Sequence, residues 1–244
     1  MTKPNQRAIA GVAMVLALAG SRAEAQTPAP VPAFFSDVAR DYRNMVSWDT
    51  AQWLSIGGVG ALVVAEADEA LRVATEDPAT PTVRALEGGD VYGNLTLQLP
   101  LAVGWWAISK AADSASGVAA GRDLLRAQIS AFSWTYAIKF AVDRQRPNGD
   151  PRSFPSGHAS ATFAAAMVLQ QHYGWKIGLP SFAAATYTAA SRITVNKHWA
   201  SDVAFGAVVG MVAGRAVTID LRRTRLSIRP MKVPGGAGIL FSSF

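Results

Sequence analysis

The feature that most constrains this chain is a series of uncharged runs, Thr50–Ala65, Val91–Ser109, Ala127–Ile138, Ile177–Ser191 and Val203–Gly214, each 12 to 19 residues long. Runs of that length suit helices of about 11–12 residues better than strands of about 5–6. Phe35, Val38, Tyr42 and Met45 fall three or four apart, the period of one helix face. The expected fold is therefore all-α, a bundle of about six helices over residues 34–220. The segments are Phe34–Val46, a helix capped by Asp49 and reaching Val73 before Asp77–Pro81 breaks it, Leu95–Ala112, Leu124–Val142 up to a break at Pro147, Ala159–Tyr173, Ser181–Arg192 and Ala200–Ile219. Residues 221–244 differ: Leu226, Ile228, Ile239 and Phe241 alternate around Pro234-Gly235-Gly236, as in a short β-hairpin tail.

Half of the chain is hydrophobic and 16% is charged, which excludes intrinsic disorder. A membrane span needs about 20 mostly apolar residues, and these runs are shorter or interrupted by Asn94, Gln98 and Pro100. That favours a soluble bundle over a set of short membrane helices. The N-terminus reads as a targeting segment: Lys3 and Arg7, an apolar run Ala8–Ser21, and a small-x-small site at Ala23-Glu24-Ala25. Residues 1–25 are expected to be a signal peptide and 26–33 a Pro/Ala-rich linker, which makes the protein exported.

Loss of that leader would change the net charge from +6 to +4. Arg215–Lys232 alone carries +5, leaving −1 for the rest of the mature chain. One basic segment is not a nucleic-acid footprint, so no nucleic-acid partner is expected. It is either a solvated face or a contact for anionic lipid headgroups. Cysteine is absent, which excludes disulfides, thiolate nucleophiles and cysteine-ligated metals; with three histidines (His158, His172, His198), a histidine-rich metal site is not expected either.

Three segments concentrate anion-binding chemistry. Lys139 and Arg146 are seven apart, two turns of one helix face, and together make a clamp for an anion. Pro155-Ser156-Gly157-His158 precedes an Ala-rich helix, so that Ser156 caps it, Gly157 admits close backbone approach, and the free amides of the first turn favour phosphate. His158, just inside, is placed to hand a proton to a departing oxygen. Arg192 adds a third cation. His198 and Asp202, four apart, are neighbours if helical, the carboxylate holding one imidazole nitrogen and leaving the other free to attack. Each segment alone has a plainer explanation: surface cations, a Pro-Ser-Gly turn, a surface histidine.

Together the segments resemble the signature of the type 2 phosphatidic acid phosphatase and vanadium haloperoxidase superfamily: Lys-x6-Arg-Pro, Pro-Ser-Gly-His and Ser-Arg-x5-His-x3-Asp, in that order. Lys139, Arg146, Pro147, Pro155, Ser156, Gly157, His158, Ser191, Arg192, His198 and Asp202 match every specified position. The resemblance implies a helical phosphatase domain in which His198 forms a phosphohistidine, Asp202 orients it and His158 protonates the leaving group. Lys139, Arg146, Arg192, Ser156 and Gly157 would bind the phosphate, with no metal and no cofactor. The implied substrate is a lipid phosphate or a small organic phosphate monoester. The expected location is the periplasm, with membrane-surface contact or an integral inner-membrane placement as alternatives.

Two other functions compete. A vanadium-dependent haloperoxidase would hold vanadate as cofactor in the same site, and a non-enzymatic envelope protein would bind anionic lipid through Arg215–Lys232. His172 matches no motif position and is expected to be structural. Arg144, Arg152 and Lys197 are expected to be solvated rather than catalytic. Trp105, Trp106, Trp134 and Trp199 are expected to be core more than a wall for acyl chains.

Overall fold

The structure, a computed structural model, describes residues 31–77, 80–86, 88–219, 226–233 and 236–243. The expected leader, residues 1–25, lies outside them. The described helices are α1 (Val31–Met45), α2 (Trp48–Ala65), α3 (Asp68–Ala74), α4 (Pro81–Leu86), α5 (Gly89–Gly93), α6 (Leu95–Ala111), α7 (Ala115–Val142), α8 (Gly157–Tyr173), α9 (Trp175–Thr194) and α10 (Ala200–Val217). Strands β1 (Leu226–Val233) and β2 (Gly236–Ser243) pair antiparallel, with Ile228 opposite Phe241. The all-α class holds. The helix count exceeds the expected six, because seven helices have fifteen residues or more and three are short.

Several boundaries depart from the sequence reading for identifiable reasons. Ser47, not Asp49, caps α2, its side chain accepting from the Thr50 amide; Asp49 instead pairs with Arg215 at 2.7 Å. The helix breaks at Glu66-Ala67, eleven residues before Asp77, so that Asp68 can accept from the Ser201 amide (2.9 Å) and the Ser201 hydroxyl (2.6 Å). Helix α7 starts at Ala115 rather than Leu124. Its first turns hold Gly117 and Gly121, weak helix formers that let it lie on Ser109 and Trp106 of α6. Helix α9 starts at Trp175 and runs through Pro180 rather than beginning after it.

Helices α8 and α10 form the most intimate pair. A Cβ on Gly206 would come within 2.6 Å of the Ser156 carbonyl oxygen, and one on Gly214 within 2.7 Å of Met167 Cβ; Gly210 faces the Ser160 carbonyl even more closely. This glycine stripe brings the backbones together and places Asp202 beside the start of α8, where the Ser156 amide donates to the Asp202 carbonyl at 2.9 Å. The core is Ala-rich, built on Ala127, Ala131, Ala164, Ala165, Val168, Val212 and Ala213, with Trp53, Trp105 and Trp134 packed around it. Helix α10 is, among the described residues, the one helix long and apolar enough to cross a membrane, and 72% of it is buried inside the bundle.

Candidate active site

Asp202 is the best-held side chain of the site. It occupies the third position of α10, and its Oδ2 accepts from the Trp199 amide (2.9 Å) in a capping turn and from the Ser153 hydroxyl. Its Oδ1 accepts from Arg144 Nη1 at 2.8 Å. Burial opposes its ionisation, but the contact with His198, the Ser153 and Trp199 bonds and the Arg144 charge hold its carboxyl below the usual range.

His198 lies in the turn before α10, not in a helix, so the expected i,i+4 helical pairing is not what joins it to Asp202. The capping turn does so, leaving His198 Nδ1 3.6 Å from Asp202 Oδ2, beyond direct hydrogen-bond reach. Its backbone amide donates to the Arg192 carbonyl at 3.2 Å, tying the imidazole to the end of α9. The ring is 3% exposed. Burial first, then the charges of Lys139 and Arg146, push its pKa down to about 4 against the pull of Asp202.

The cations reach the site by different routes. Lys139, in the last turn of α7, is buried and donates to the carbonyls of Arg152 (2.8 Å) and Ser153 (3.1 Å). Burial, then the Arg146 charge, lower its pKa to about 8. Arg146 does not share a helix face with it, because α7 ends at Val142 with Asp143 in the left-handed region. A loop folding back through the Arg146 amide to Asp150 carbonyl bond (2.8 Å) delivers Arg146 instead. Its positive charge acts on Lys139, His158, Arg192 and His198 alike.

Ser156 caps α8 as expected, accepting from the Ala159 amide at 3.4 Å. Gly157 opens the helix, whose first amides have no intrahelical acceptor. His158 and Gly157 line a cavity of about 130 Å³ with Gly93, Phe132, Thr135 and Tyr136. Burial, then the Arg192 charge, lower the His158 pKa to about 4. Its Nε2 sits 3.0 Å from Asp90 Oδ1 but is too poorly aligned for a hydrogen bond. Arg192 is buried and its Nη1 pairs with the same Asp90 oxygen. Three buried polar atoms at this one place, His158 Nε2, Arg192 Nε and His198 Nδ1, have no hydrogen-bonding partner among the described residues.

Of the eight residues singled out from the sequence, Gly157 and His158 line the small cavity, while the charges of Lys139, Arg146 and Arg192 bear on His158 or His198, and Asp202 faces His198. Four others were missed or misread. Arg144 is half-buried and paired: it bridges Asp202 and Asp68 (2.9 Å) and donates to the Ser201 hydroxyl (2.7 Å). Asp68 and Asp90 carried no signal, being ordinary residues far away in sequence, and Ser153, two residues before Pro155, falls at no motif position. His172 pairs with Asp123 at 2.9 Å, away from the motif residues. Lys197 pairs with Asp150 on the surface, and Arg152 stacks over Phe140 at 4.4 Å. Among the described residues, no cluster of three or more His, Asp or Glu is placed to hold a metal ion.

Fold and site together define a helical domain in which two histidines and the cations Lys139, Arg146 and Arg192 act on one another electrostatically. Residues 123–225 match the family model described as PAP2 superfamily. The chain is 40% identical over 82 residues to the lipid A 1-phosphatase of Porphyromonas gingivalis, covering 32% of this chain and 18% of that protein. It is 37% identical over 91 residues to the decaprenylphosphoryl-5-phosphoribose phosphatase of Mycobacterium tuberculosis, covering 33% and 49%. The matched stretch therefore spans less than half the length of these relatives. In fold, the chain resembles the transmembrane PAP2 type phosphatidylglycerolphosphate phosphatase of Bacillus subtilis, with a TM-score of 0.56 at 18% identity over 80% of this chain and 97% of that one. It also resembles Aquifex aeolicus LpxE, with a TM-score of 0.52 at 21% identity over 62% and 93%.

Proposed function

We propose that this protein is an exported phosphatase that hydrolyses lipid phosphate monoesters through a phosphohistidine on His198. The observation that carries the reading is the His198–Asp202 pair. A buried carboxylate fixed by three donors faces Nδ1, which leaves Nε2 as the nitrogen free to attack. With its pKa near 4, His198 is neutral and nucleophilic at pH 7.

In the first step the Nε2–P bond forms and the P–O bond to the alcohol breaks, while His158 gives its proton to the departing oxygen. In the second, the now neutral His158 takes a proton from water, whose oxygen attacks phosphorus and breaks the N–P bond to release inorganic phosphate. Lys139, Arg146 and Arg192, with the α8 amides, neutralise the equatorial oxygens, a field that does not need a metal. In the free protein His158 is mostly neutral at pH 7, since its pKa is about 4. A bound phosphate, bringing negative charge beside it, raises that value and arms it as the acid.

The lipid assignment rests on what adjoins the pocket. A second cavity of about 450 Å³ lies among α6, α7, α8 and α9, lined by Leu101, Trp105, Leu124, Leu169 and Ile177. Gln128 forms a wall of both cavities. An apolar tail in the larger chamber would leave its phosphate near His158. Helix α2 turns Ile56 and Leu62, each 71% exposed, away from the bundle, a surface suited to lipid contact. The names of the relatives, lipid A and decaprenyl phosphoribose phosphatases, agree with this class. Phosphate release across a panel of lipid and soluble phosphomonoesters tests the proposal; preference for soluble esters sinks the lipid assignment, and no release from any ester sinks the phosphatase reading.

A further inference from the structure

One relationship at the site is not explained by phosphate chemistry. Asp90 Oδ1 touches both Arg192 Nη1 and His158 Nε2 (3.0 Å), two groups that the proposed reaction directs at the phosphoryl group. A carboxylate oxygen thus stands where a phosphate oxygen belongs. The placement is built into the backbone. A Cβ on Gly89 would come within 2.6 Å of Ser191 Oγ, and one on Gly93 within 2.8 Å of His158 Cδ2, so α5 lies pressed against α9 and His158 by its two terminal glycines. The Asp90 side chain itself is 55% exposed, whereas that of Arg192 is 6% exposed.

This asymmetry gives Asp90 its role. A buried guanidinium without a counter-charge is costly, and the structure supplies one from the pocket mouth. When a phosphate arrives, its own charge satisfies Arg192, and a carboxylate left in place would repel it. Because most of Asp90 already faces water, a side-chain rotation takes the carboxylate out at little desolvation cost, while the glycine contacts hold the backbone still. We propose that Asp90 is a built-in counter-anion that occupies the phosphate subsite of the free enzyme and competes with phosphate for Arg192 and His158. It lowers the affinity for phosphate and favours product release. The proposal rests on the phosphatase reading above.

The test is direct binding of orthovanadate and orthophosphate to the full chain and to its Asp90→Asn and Asp90→Ser variants, by calorimetry at pH 7. Removing a partly exposed like charge at contact distance is expected to tighten both anions by about tenfold. A merely structural Asp90 would do the reverse, since losing it would disorder Arg192. Binding that is unchanged or weaker in folded variants overturns the proposal and leaves the phosphatase reading standing. If the wild-type chain binds neither anion and hydrolyses no phosphate ester, both fall together. If neither variant folds, the wild-type complex with vanadate decides: Asp90 turned away from Arg192 supports the proposal, and Asp90 still on Arg192 overturns it.

Discussion

Arg144 and Asp202, 58 residues apart, meet at 2.8 Å, and the same guanidinium holds Asp68 at 2.9 Å. The carboxylate that faces His198 is therefore fixed from two directions, by the capping turn of α10 and by an arginine from the loop after α7. In the proposed reaction Arg144 would act through Asp202, as a positioning residue.

Replacing Arg144 with Met should lower kcat while leaving KM for a soluble ester within about threefold, because no proposed phosphate contact is lost. Stability should also fall, by roughly 1–3 kcal/mol, since two buried carboxylates lose a partner. Arg144→Lys should restore part of both. Urea midpoints and steady-state kinetics check this; a raised KM at normal kcat would make Arg144 a substrate contact instead.

Asp202→Asn keeps the shape but removes the charge facing Nδ1. The expected loss in kcat is about 10²–10⁴-fold, the range for a group that sets proton position in the transition state. A stopped assay with a soluble ester reads this out.

The stability of the free protein should depend on pH through the two site histidines. Their folded pKa values of about 4 lie below the ordinary 6.5. Below 6.5 the unfolded chain binds protons that the folded one refuses, so stability falls as pH drops from 6.5 towards 4. Urea midpoints measured across this window should decline, and His158→Gln should flatten the slope. A flat wild-type profile contradicts buried neutral histidines.

Much of this site was legible in the sequence. The Ser156 cap falls where the Pro-Ser-Gly turn put it, and His198 faces Asp202. The routes differ, however. Arg146 arrives on a loop because Asp143 ends α7 early, and His198 meets Asp202 through a cap because the chain enters α10 only at Ala200. Arg144, Asp68 and Asp90 could not be read, since a lone charge shows nothing of a partner 58 to 102 residues away. The one available hint for Asp90 was its place in Gly88-Gly89-Asp90-Val91-Tyr92-Gly93, a run of glycines too dense for an ordinary helix.

The glycine stripe of α10 should tolerate no side chain. Gly210→Ala would drive a methyl into the Ser160 carbonyl, and overpacking of this kind costs about 1–3 kcal/mol. Because the same packing of α10 on α8 carries the Ser156 amide to Asp202 carbonyl bond, activity should fall with stability. A variant that is stable and fully active would show that the two backbones are not held so closely.

Filling the apolar chamber should separate lipid from soluble substrates. Ala184→Trp, on the chamber wall and outside the cavity that His158 lines, should lower kcat/KM for a long-chain lipid phosphate by about tenfold or more, as lost apolar burial of a few methylenes would. Hydrolysis of a short soluble ester should stay within about twofold. Equal loss on both substrates would place the lipid tail elsewhere.

The central claim is a covalent phosphohistidine on His198, and rapid acid-free quenching of the protein with a ³²P-labelled phosphate monoester tests it most directly. Base-stable, acid-labile label is expected on the peptide containing His198, absent from His198→Ala and accumulating in His158→Ala when the leaving group needs no proton. Label that is absent from the wild-type chain during turnover, or found on another residue, would contradict the claim.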